Sequence, residues 1–286
     1  GTPTTATQAA LDHFAITMIR FPGGETNPVF QDGMMTDGAL PDHILALMTY
    51  ASAANIAVNM VVPVEAPATL GRAVFLDQMQ DFAAALHQQF PGVVQSFELG
   101  NEYWGAGQMS SIEYGRLASE MAVIVNDELD LAGSDAEIIV QSGTNFNFAR
   151  MSDDYPEDMS SADILADLNE TYGLALDESS VFSSGQVSWT NVANEMILSE
   201  FDTADEQHSV DQVAVHVYSR GQVNESQRSF LLNDTDETWG EQIPDAQIAV
   251  TEWNTAGNTG ALDRGTDYGL FQSHEMLNVM EEFLRY

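Results

Sequence analysis

The 286-residue chain contains no cysteine, and all eight of its basic residues are arginine, so lysine is absent as well. These absences exclude disulfide bonds, thiol nucleophiles, cysteine-ligated metal centres, Schiff-base lysines and the Walker lysine of nucleotide-binding loops. No apolar run reaches the roughly 18 to 20 residues that cross a bilayer. Any chemistry must therefore rest on carboxylates, histidine, arginine and hydroxyl groups.

Negative charge dominates what is present. The chain has 44 acidic against 8 basic residues, a formal net charge of −36. Such a surface repels phosphate backbones and anionic lipid, so we expect no nucleic-acid partner and no membrane partner. It stays soluble where salt screens its self-repulsion, which favours a marine or salt-adapted source. The absence of cysteine fits an extracellular protein of a bacterium, so we expect a secreted protein. The first residues, Gly1-Thr-Pro-Thr-Thr5, lack the pattern of a signal peptide.

Short apolar runs alternate with helical patterns along the chain. The runs predicted as buried strands are Ile16–Phe21, Ile56–Val64, Ser96–Glu102, Glu137–Gly143, Val210–Ser219 and Gln247–Asn254. The helical patterns between them cover Ala6–Phe14, Leu40–Ala53, Ala73–Gln89, Ile112–Leu129, Val192–Phe201 and Gln272–Tyr286. Alternating strands and helices predict a parallel sheet, either open or closed into a barrel.

The spacing of the strands favours an α/β fold of the (β/α)8 TIM-barrel type. The first four strand centres follow one another at a nearly constant interval of roughly 40 residues, which suits a barrel better than a doubly wound sheet. The first and eighth strands are not evident, so we expect an incomplete barrel in this chain. We expect a single catalytic domain over residues 1–286, with an acidic insertion at about 153–211. A further strand over Val181–Trp189 remains open.

Polar and charged residues follow the predicted strands, where a barrel carries its active site. The segments there are Arg20-Phe-Pro-Gly-Gly24, Gly100-Asn-Glu-Tyr-Trp104, His216-Val-Tyr218 and Thr251-Glu-Trp-Asn254. Glu102 and Glu252 thus end separate strands, each among aromatic residues. Cleavage of a glycosidic bond needs such a carboxylate pair, one to protonate the leaving oxygen and one to act at the anomeric carbon.

The same residue types also have structural explanations. With 44 acidic residues, a single Glu at a strand end is common, and Asn194-Glu195 lies in a helical pattern without a site. His216 alone would more often be a core histidine, whereas Arg20 would be costly to bury unpaired. The acidic cluster Asn233–Glu237 lacks the glycine and the closing Glu of an EF-hand loop. A solvated face is the preferred interpretation there, with structural calcium left open.

The strand-end segments resemble glycoside hydrolase clan A, whose members are (β/α)8 retaining hydrolases. They are most similar to family 51, the α-L-arabinofuranosidases. Arg20–Gly24 is similar to the strand-two segment of that family, and Gly100–Met109 with Glu113-Tyr114 to its acid/base segment. His216–Tyr218 is similar to its strand-six His-x-Tyr, and Thr251–Trp253 to its nucleophile segment. The resemblance follows the chain in order, interrupted over 153–211.

The resemblance implies a role for each matching residue. Glu102 would be the acid/base and Glu252 the nucleophile. Asn101 would bind the sugar 2-hydroxyl, Arg20 and Tyr218 would keep Glu252 ionised and oriented, and His216 would line the sugar site. Weaker pocket candidates are Trp104, Trp253, Asn254 and Asn27. The implied reaction is a double displacement on plant or algal polysaccharide or oligosaccharide, with no organic cofactor and no metal in the chemical step.

Two departures from family 51 keep the specificity open. Its first strand, which carries further sugar-binding residues, has no counterpart here, and the segment Glu25–Gly33 does not match its usual sugar-site residues. A clan A hydrolase acting on β-xylosides, β-glucuronides or galactans is therefore an alternative. A non-catalytic carbohydrate-binding barrel module is another, although a decayed enzyme usually loses one of its two Glu residues.

Overall fold

A computed structural model describes residues 3–24, 26–65, 70–219, 229–255 and 270–285 of the chain. In this part of the chain, one parallel sheet of six strands follows the order of the sequence. The strands are β1 (Met18–Phe21), β2 (Ala57–Val62), β3 (Val94–Leu99), β4 (Glu137–Gln141), β5 (Gln212–Ser219) and β6 (Gln247–Thr255). All six coincide with predicted strands, with shifts of a few residues at their ends.

The sheet is curled rather than flat. Adjacent strands lie about 4.8 Å apart, so the first and last strands of a flat six-stranded sheet would be separated by about 24 Å. Nevertheless, Nη1 of Arg20 on β1 lies 2.6 Å from Oε1 of Glu252 on β6. The sheet therefore bends around a shared interior, as in an incomplete (β/α) barrel. Among the described residues, β1 and β6 each pair with one neighbouring strand, which leaves the barrel open between them.

The first helix precedes β1 and has no buried residue, whereas the helices after the strands include those that pack on the outside of the sheet. The helices are α1 (Thr5–His13), α2 (Thr26–Val29), α3 (Asp42–Ala54), α4 (Arg72–Gln89), α5 (Ser111–Ala132), α6 (Ser161–Tyr172), α7 (Trp189–Leu198), α8 (Ala204–His208), α9 (Phe230–Gln242) and α10 (Leu270–Phe283). The longest of them, α5, begins with a capping box between Ser110 and Glu113 and ends at Gly133 in the left-handed conformation. No helix in the described ranges is both long enough and apolar enough to cross a membrane.

The main core lies between the sheet and α3, α4 and α5. The strands contribute β-branched and other apolar side chains, such as Val58, Met60 and Val62 of β2, all fully buried. The helices contribute residues at helical spacing, such as Phe75, Met79 and Phe82 of α4. These are positions that the periodicity of Ala73–Gln89 predicts as the buried face of a helix.

The acidic segment 153–211 has structure of its own. Its helix α6 packs in a separate small core that includes Ile164, Leu165 and Leu168. Helix α7 lies between α5 and α9, in the layer that covers the barrel. Residues Val181–Trp189 do not form a further strand of the sheet. Val181 and Val187 form only an isolated antiparallel bridge, and Trp189 begins α7.

The cluster Asn233–Glu237 lies inside helix α9. Consecutive side chains of a helix point in different directions, so these residues do not converge as the ligands of an EF-hand loop do. Asn194, in helix α7, has a structural role: its Oδ1 accepts hydrogen bonds from the backbone N–H of Gly143 and the indole N–H of Trp239.

Candidate active site

Side chains from several strands meet inside the curled sheet, near the carboxyl ends of the strands. Arg20 comes from β1, His216 and Tyr218 from β5, and Glu252 from β6. Glu102 follows β3 by three residues, so it lies in the turn after that strand rather than at its end as the pattern predicts. The structure therefore brings together the two carboxylates and the three polar residues that the sequence analysis assigns to them.

The guanidinium of Arg20 connects this cluster. Its Nε and Nη2 donate to the two carboxylate oxygens of Glu98, at 2.7 Å each. Nη2 also donates to Oδ1 of Asn101 at 2.7 Å, and Nη1 donates to Oε1 of Glu252 at 2.6 Å. Burial works against the charge of Arg20, but the two carboxylates raise the pKa of Arg20 above its ordinary value. Arg20 is therefore a half-buried cation paired with two carboxylates, as its cost of burial requires.

Glu252 is positioned by a β-bulge in β6. The register between β5 and β6 shifts between Val215 and His216, so the consecutive residues Thr251 and Glu252 both reach the interior. Oε2 of Glu252 accepts a hydrogen bond from the Tyr218 hydroxyl at 2.7 Å. Burial tends to raise the pKa of Glu252, but the hydrogen bonds from Tyr218 and Arg20 and the charges of His216 and Arg20 lower it overall. Glu252 is thus held as an anion.

The pKa of Tyr218 is shifted in the opposite direction to that of Glu252. Burial and the adjacent Glu252 carboxylate raise the pKa of Tyr218 to about 12. The hydroxyl therefore stays protonated at neutral pH and remains a hydrogen-bond donor to Glu252.

A sharp turn after β3 presents Glu102. Gly100 has a φ of +91°, and Glu102 itself has a φ of +46°, a region that non-glycine residues seldom occupy. The backbone N–H of Glu102 donates to Oε1 of Gln141 at 3.3 Å, which anchors the turn to β4. The side chain is 39% exposed, compared with 23% for Glu252. Of the two carboxylates, Glu102 is thus the more accessible to solvent.

His216 lies between the two carboxylates. Its Nδ1 is 3.2 Å from Oε1 of Glu102 and 3.8 Å from Oε2 of Glu252, and its side chain is only 5% exposed. Burial tends to lower the pKa of His216, but the surrounding carboxylates of Glu102, Glu98 and Glu252 raise it overall. One oxygen of Glu102, one of Glu252 and one ring nitrogen of His216 all lie within 4.8 Å of one another.

Two carboxylates and an imidazole are also a set of ligands that can bind a divalent cation. Here both oxygens of Glu252 already accept hydrogen bonds, one from Tyr218 and one from Arg20. The charge of Arg20, 2.6 Å from the carboxylate, opposes a second cation at the same position. The cluster therefore fits acid–base chemistry better than metal binding.

The other predicted site residues have different outcomes. Asn101 is buried beside Arg20, and the Trp104 ring lies 6.4 Å from the His216 ring in an edge-on arrangement. Trp253 instead packs on Phe283 of α10, outside the sheet, so the structure does not bring it to the cluster. Asn254 is exposed, and its side chain accepts from the backbone N–H of Thr255. The side chain of Asn27 lies outside the described residues.

Glu98 is the main residue of this cluster that the sequence analysis missed. It is fully buried in β3, and besides the two bonds from Arg20 it accepts bonds from Asn59, Gln141 and Thr251. Burial would raise the pKa of Glu98, but the bonds and charges of Arg20 and His216 hold it at about 2. The available signal was a carboxylate between the apolar residues Phe97 and Leu99 near the end of a predicted buried strand, since a buried charge must have a partner.

Comparison with known proteins supports the fold. No family model matches the chain, and no curated protein matches its sequence. The fold is similar to that of a β-glucosidase from Exiguobacterium marinum, with a TM-score of 0.53 and 15% identity over 96% of this chain and 74% of that one. It is also similar to a β-glucosidase from Thermotoga maritima, with a TM-score of 0.52 and 13% identity over 97% of this chain and 72% of that one.

A family 51 α-L-arabinofuranosidase from Bifidobacterium longum aligns less well. Its TM-score is 0.48 and its identity 15%, over 92% of this chain and 52% of that one. The chain thus spans about half of that protein and about three quarters of the two β-glucosidases. The incomplete (β/α)8-type barrel is confirmed, and its structural neighbours are TIM-barrel glycoside hydrolases. Membership in family 51 remains a prediction.

Proposed function

We propose that residues 1–286 form the catalytic domain of a retaining glycoside hydrolase, with an acidic insertion at about 153–211. The observation that carries this proposal is the geometry of the carboxylate pair: an oxygen of Glu102 and an oxygen of Glu252 lie within 4.8 Å of each other. Retaining enzymes hold their two carboxyl groups about 5 to 5.5 Å apart, whereas inverting enzymes need roughly 6.5 to 9.5 Å to admit a water molecule. The separation here favours retention.

Glu252 is the nucleophile in this proposal. An oxygen of its carboxylate attacks the anomeric carbon while the bond from that carbon to the leaving oxygen breaks, giving a covalent glycosyl–enzyme intermediate. The lowered pKa of Glu252 supports the assignment, because the attacking group must be ionised. Arg20 and Tyr218 orient the carboxylate by one hydrogen bond to each oxygen.

Glu102 is the acid/base. It donates a proton to the leaving oxygen in the first step. In the second step it takes a proton from the water that attacks the anomeric carbon, and the bond to Glu252 breaks. The more exposed position of Glu102 suits a group that must meet both the leaving group and water. His216 lies within hydrogen-bond distance of Glu102 and orients its carboxyl group.

Asn101 and Trp104 complete the substrate site. Asn101, held by Arg20 through its Oδ1, keeps its amide N–H₂ for a sugar hydroxyl. Trp104 packs edge-on against Tyr103 and lies on the same turn as Glu102, where an aromatic ring can stack on a sugar. Trp253 and Asn254 have no part in this proposal, since the structure gives the first a packing contact outside the sheet and the second a local backbone bond.

The substrate class follows from charge. The described site residues include three carboxylates, Glu98, Glu102 and Glu252, against one arginine, Arg20, and one histidine, His216. The whole chain carries a net charge of −36. A neutral plant or algal glycan is therefore preferred over a uronic acid polymer, because anionic sugars would be repelled. An α-L-arabinofuranoside is the first substrate to test, with β-xylosides and neutral galactans next; a β-glucuronide is disfavoured. We also propose that the protein is exported from a bacterial cell.

The test uses aryl glycosides of these sugars with the wild-type chain, Glu252→Gly and Glu102→Gly. Activated aryl groups leave without protonation, so Glu102→Gly should still form the intermediate, and azide should accelerate its breakdown to a glycosyl azide of retained configuration. Glu252→Gly should be inactive alone and should give the azide of inverted configuration. Glu170→Gln, an exposed residue of α6, serves as a matched control that should keep wild-type activity.

Either of two results would contradict the proposal. One is that both Glu variants cleave aryl glycosides as fast as the wild type. The other is that the wild-type chain binds oligosaccharides but cleaves none of the panel, which would favour a non-catalytic carbohydrate-binding module.

A further inference from the structure

Glu98 has no role in the double displacement, yet it is the most highly bonded carboxylate of the cluster. Its side chain is fully buried, so it cannot touch a substrate. Its Oε1 accepts hydrogen bonds from Arg20 Nη2, Gln141 and Thr251, at 2.7, 2.8 and 3.0 Å. Its Oε2 accepts from Arg20 Nε and Asn59, at 2.7 and 2.9 Å. These donors come from four strands around β3.

On one side, the contacts of Glu98 fix the orientation of the Arg20 guanidinium. Glu98 takes the Nε–Nη2 edge of the planar guanidinium in a bidentate pair, which fixes the plane of that group. Once the plane is fixed, Nη1 can only project toward Glu252, and the second N–H of Nη2 toward Asn101. The nucleophile and the neighbouring Asn101 are thus aligned through one planar group.

On the other side, Glu98 reaches the acid/base through Gln141. The amide N–H₂ of Gln141 donates to Glu98 at 2.8 Å, and its carbonyl oxygen accepts from the backbone N–H of Glu102 at 3.3 Å. Because the carboxylate of Glu98 can only accept, it determines which end of the Gln141 amide faces the turn. The turn that carries Glu102 is therefore connected to the same buried group as Glu252.

We infer that Glu98 is a positioning residue that sets the separation and orientation of Glu102 and Glu252 through Gln141 and Arg20. The inference rests on the proposed function. A group with this role differs from one that only stabilises the fold, since its loss should slow the reaction even in a folded protein. Misplacing a reacting group by about 1 Å can cost about 100-fold in rate.

The first test needs no activity. The chain has only eight arginines and no lysine, so the arginine Nε–H region of a ¹⁵N–¹H spectrum is sparse. The Arg20 signal is assigned by its loss in Arg20→Gln. In Glu98→Gln we expect the Arg20 Nε–H to exchange with water about 10- to 100-fold faster than in the wild type, because its charged acceptor is gone. Unchanged exchange would overturn the inference.

The second test is kinetic. Glu98→Gln should lower kcat on an activated aryl glycoside about 100-fold. The double variant Arg20→Gln/Glu98→Gln should lose less kcat than the product of the two single losses, because part of the effect of Glu98 passes through Arg20 and residues that act as a unit are not additive. Thr251→Val removes one donor to Glu98 with little change of shape and should give a smaller loss in the same direction. The control is Asp211→Asn, which removes a carboxylate that bonds Ile138 N–H near the opposite end of the sheet and should keep wild-type kcat.

The outcomes separate this inference from the proposed function. A wild-type chain without glycosidase activity refutes the proposed function, and the exchange measurement then still decides whether Glu98 holds Arg20. An active chain in which Glu98→Gln folds and retains wild-type kcat refutes the positioning role alone. Fully multiplicative losses in the double variant would also refute it, because none of the effect of Glu98 would then pass through Arg20.

Discussion

The pH dependence of stability should depend strongly on Glu98. Its pKa is held at about 2 in the folded protein, against an ordinary value of 4.5. When folding lowers the pKa of a carboxyl group, the ionised group stabilises the folded protein at any pH above its ordinary pKa. This contribution is lost as the pH falls toward the pKa that the group has in the folded protein. A pKa shift of one unit corresponds to about 1.4 kcal/mol, so the lowered pKa of Glu98 contributes about 3 kcal/mol to the free energy of unfolding. Because the side chain is fully buried, solvent screening does not reduce this magnitude.

The perturbation is Glu98→Gln, since a glutamine resembles the protonated acid in shape. At pH 7 the variant should be less stable than the wild type by about 3 kcal/mol, and the difference should shrink toward zero between about pH 4.5 and pH 2. The quantity to follow is the difference in the free energy of unfolding between the wild type and the variant. The other carboxylates titrate in both proteins, so their effects cancel in this difference. Urea unfolding followed by tryptophan fluorescence measures the free energy at each pH without adding salt.

The matched control is Glu170→Gln on α6, where an exposed carboxylate is removed. Its difference from the wild type should stay within about 0.5 kcal/mol across the same pH range. The reasoning would be refuted if the Glu98→Gln difference were independent of pH. It would also be refuted if the difference increased as the pH fell, since the carboxylate would then be destabilising in its ionised form.

Three further predictions follow from particular contacts. Tyr218→Phe removes the hydroxyl donor to Glu252 and should raise the pKa of that carboxylate, moving the acid limb of the kcat/KM profile to higher pH and lowering kcat/KM about 10-fold; an unchanged profile would contradict this. Gly100→Ala should destabilise the fold by about 1 to 3 kcal/mol in thermal unfolding, because the residue has a φ of +91° and its added Cβ would lie 2.9 Å from Val64. Gly133→Ala, at a helix end with open space around it, is the control and should cost less. Finally, the melting temperature should rise as sodium chloride increases from 0.01 to 1 M, where the Debye length falls from about 30 to about 3 Å, since a net charge of −36 repels itself; a constant or falling value would refute this.

Much of the fold was readable from local patterns. The six strands and the helices α1, α3, α4, α5, α7 and α10 match apolar periodicities that neighbouring residues alone define. The acidic helix α6 was missed because Asp, Ser and Glu mask its apolar positions Ile164, Leu165 and Leu168. Helix α9 was missed because its acidic stretch Asn233–Glu237 has the composition of a loop.

Local motifs also predicted most of the residues that meet in the candidate site, but not all of them. Arg20, Glu102, His216, Tyr218 and Glu252 were predicted because each stands in a short motif at a strand end. Trp253 also stands in such a motif, but side chains alternate along a strand, and its position places it against α10 instead. That outcome depends on the β-bulge in β6, a register shift between two strands that the sequence of one strand does not encode.

The sequence by itself thus determined the fold class, the strand ends and the residue types available for chemistry, because these depend on composition and on periodicity along a single segment. Only the tertiary structure decided that Glu98 bonds Arg20, that Gln141 supports the turn of Glu102, and that His216 lies between two carboxylates. These contacts join residues that are far apart in the sequence, up to the 232 positions that separate Arg20 from Glu252. Their distances are set by the curvature of the sheet, a property of all six strands together.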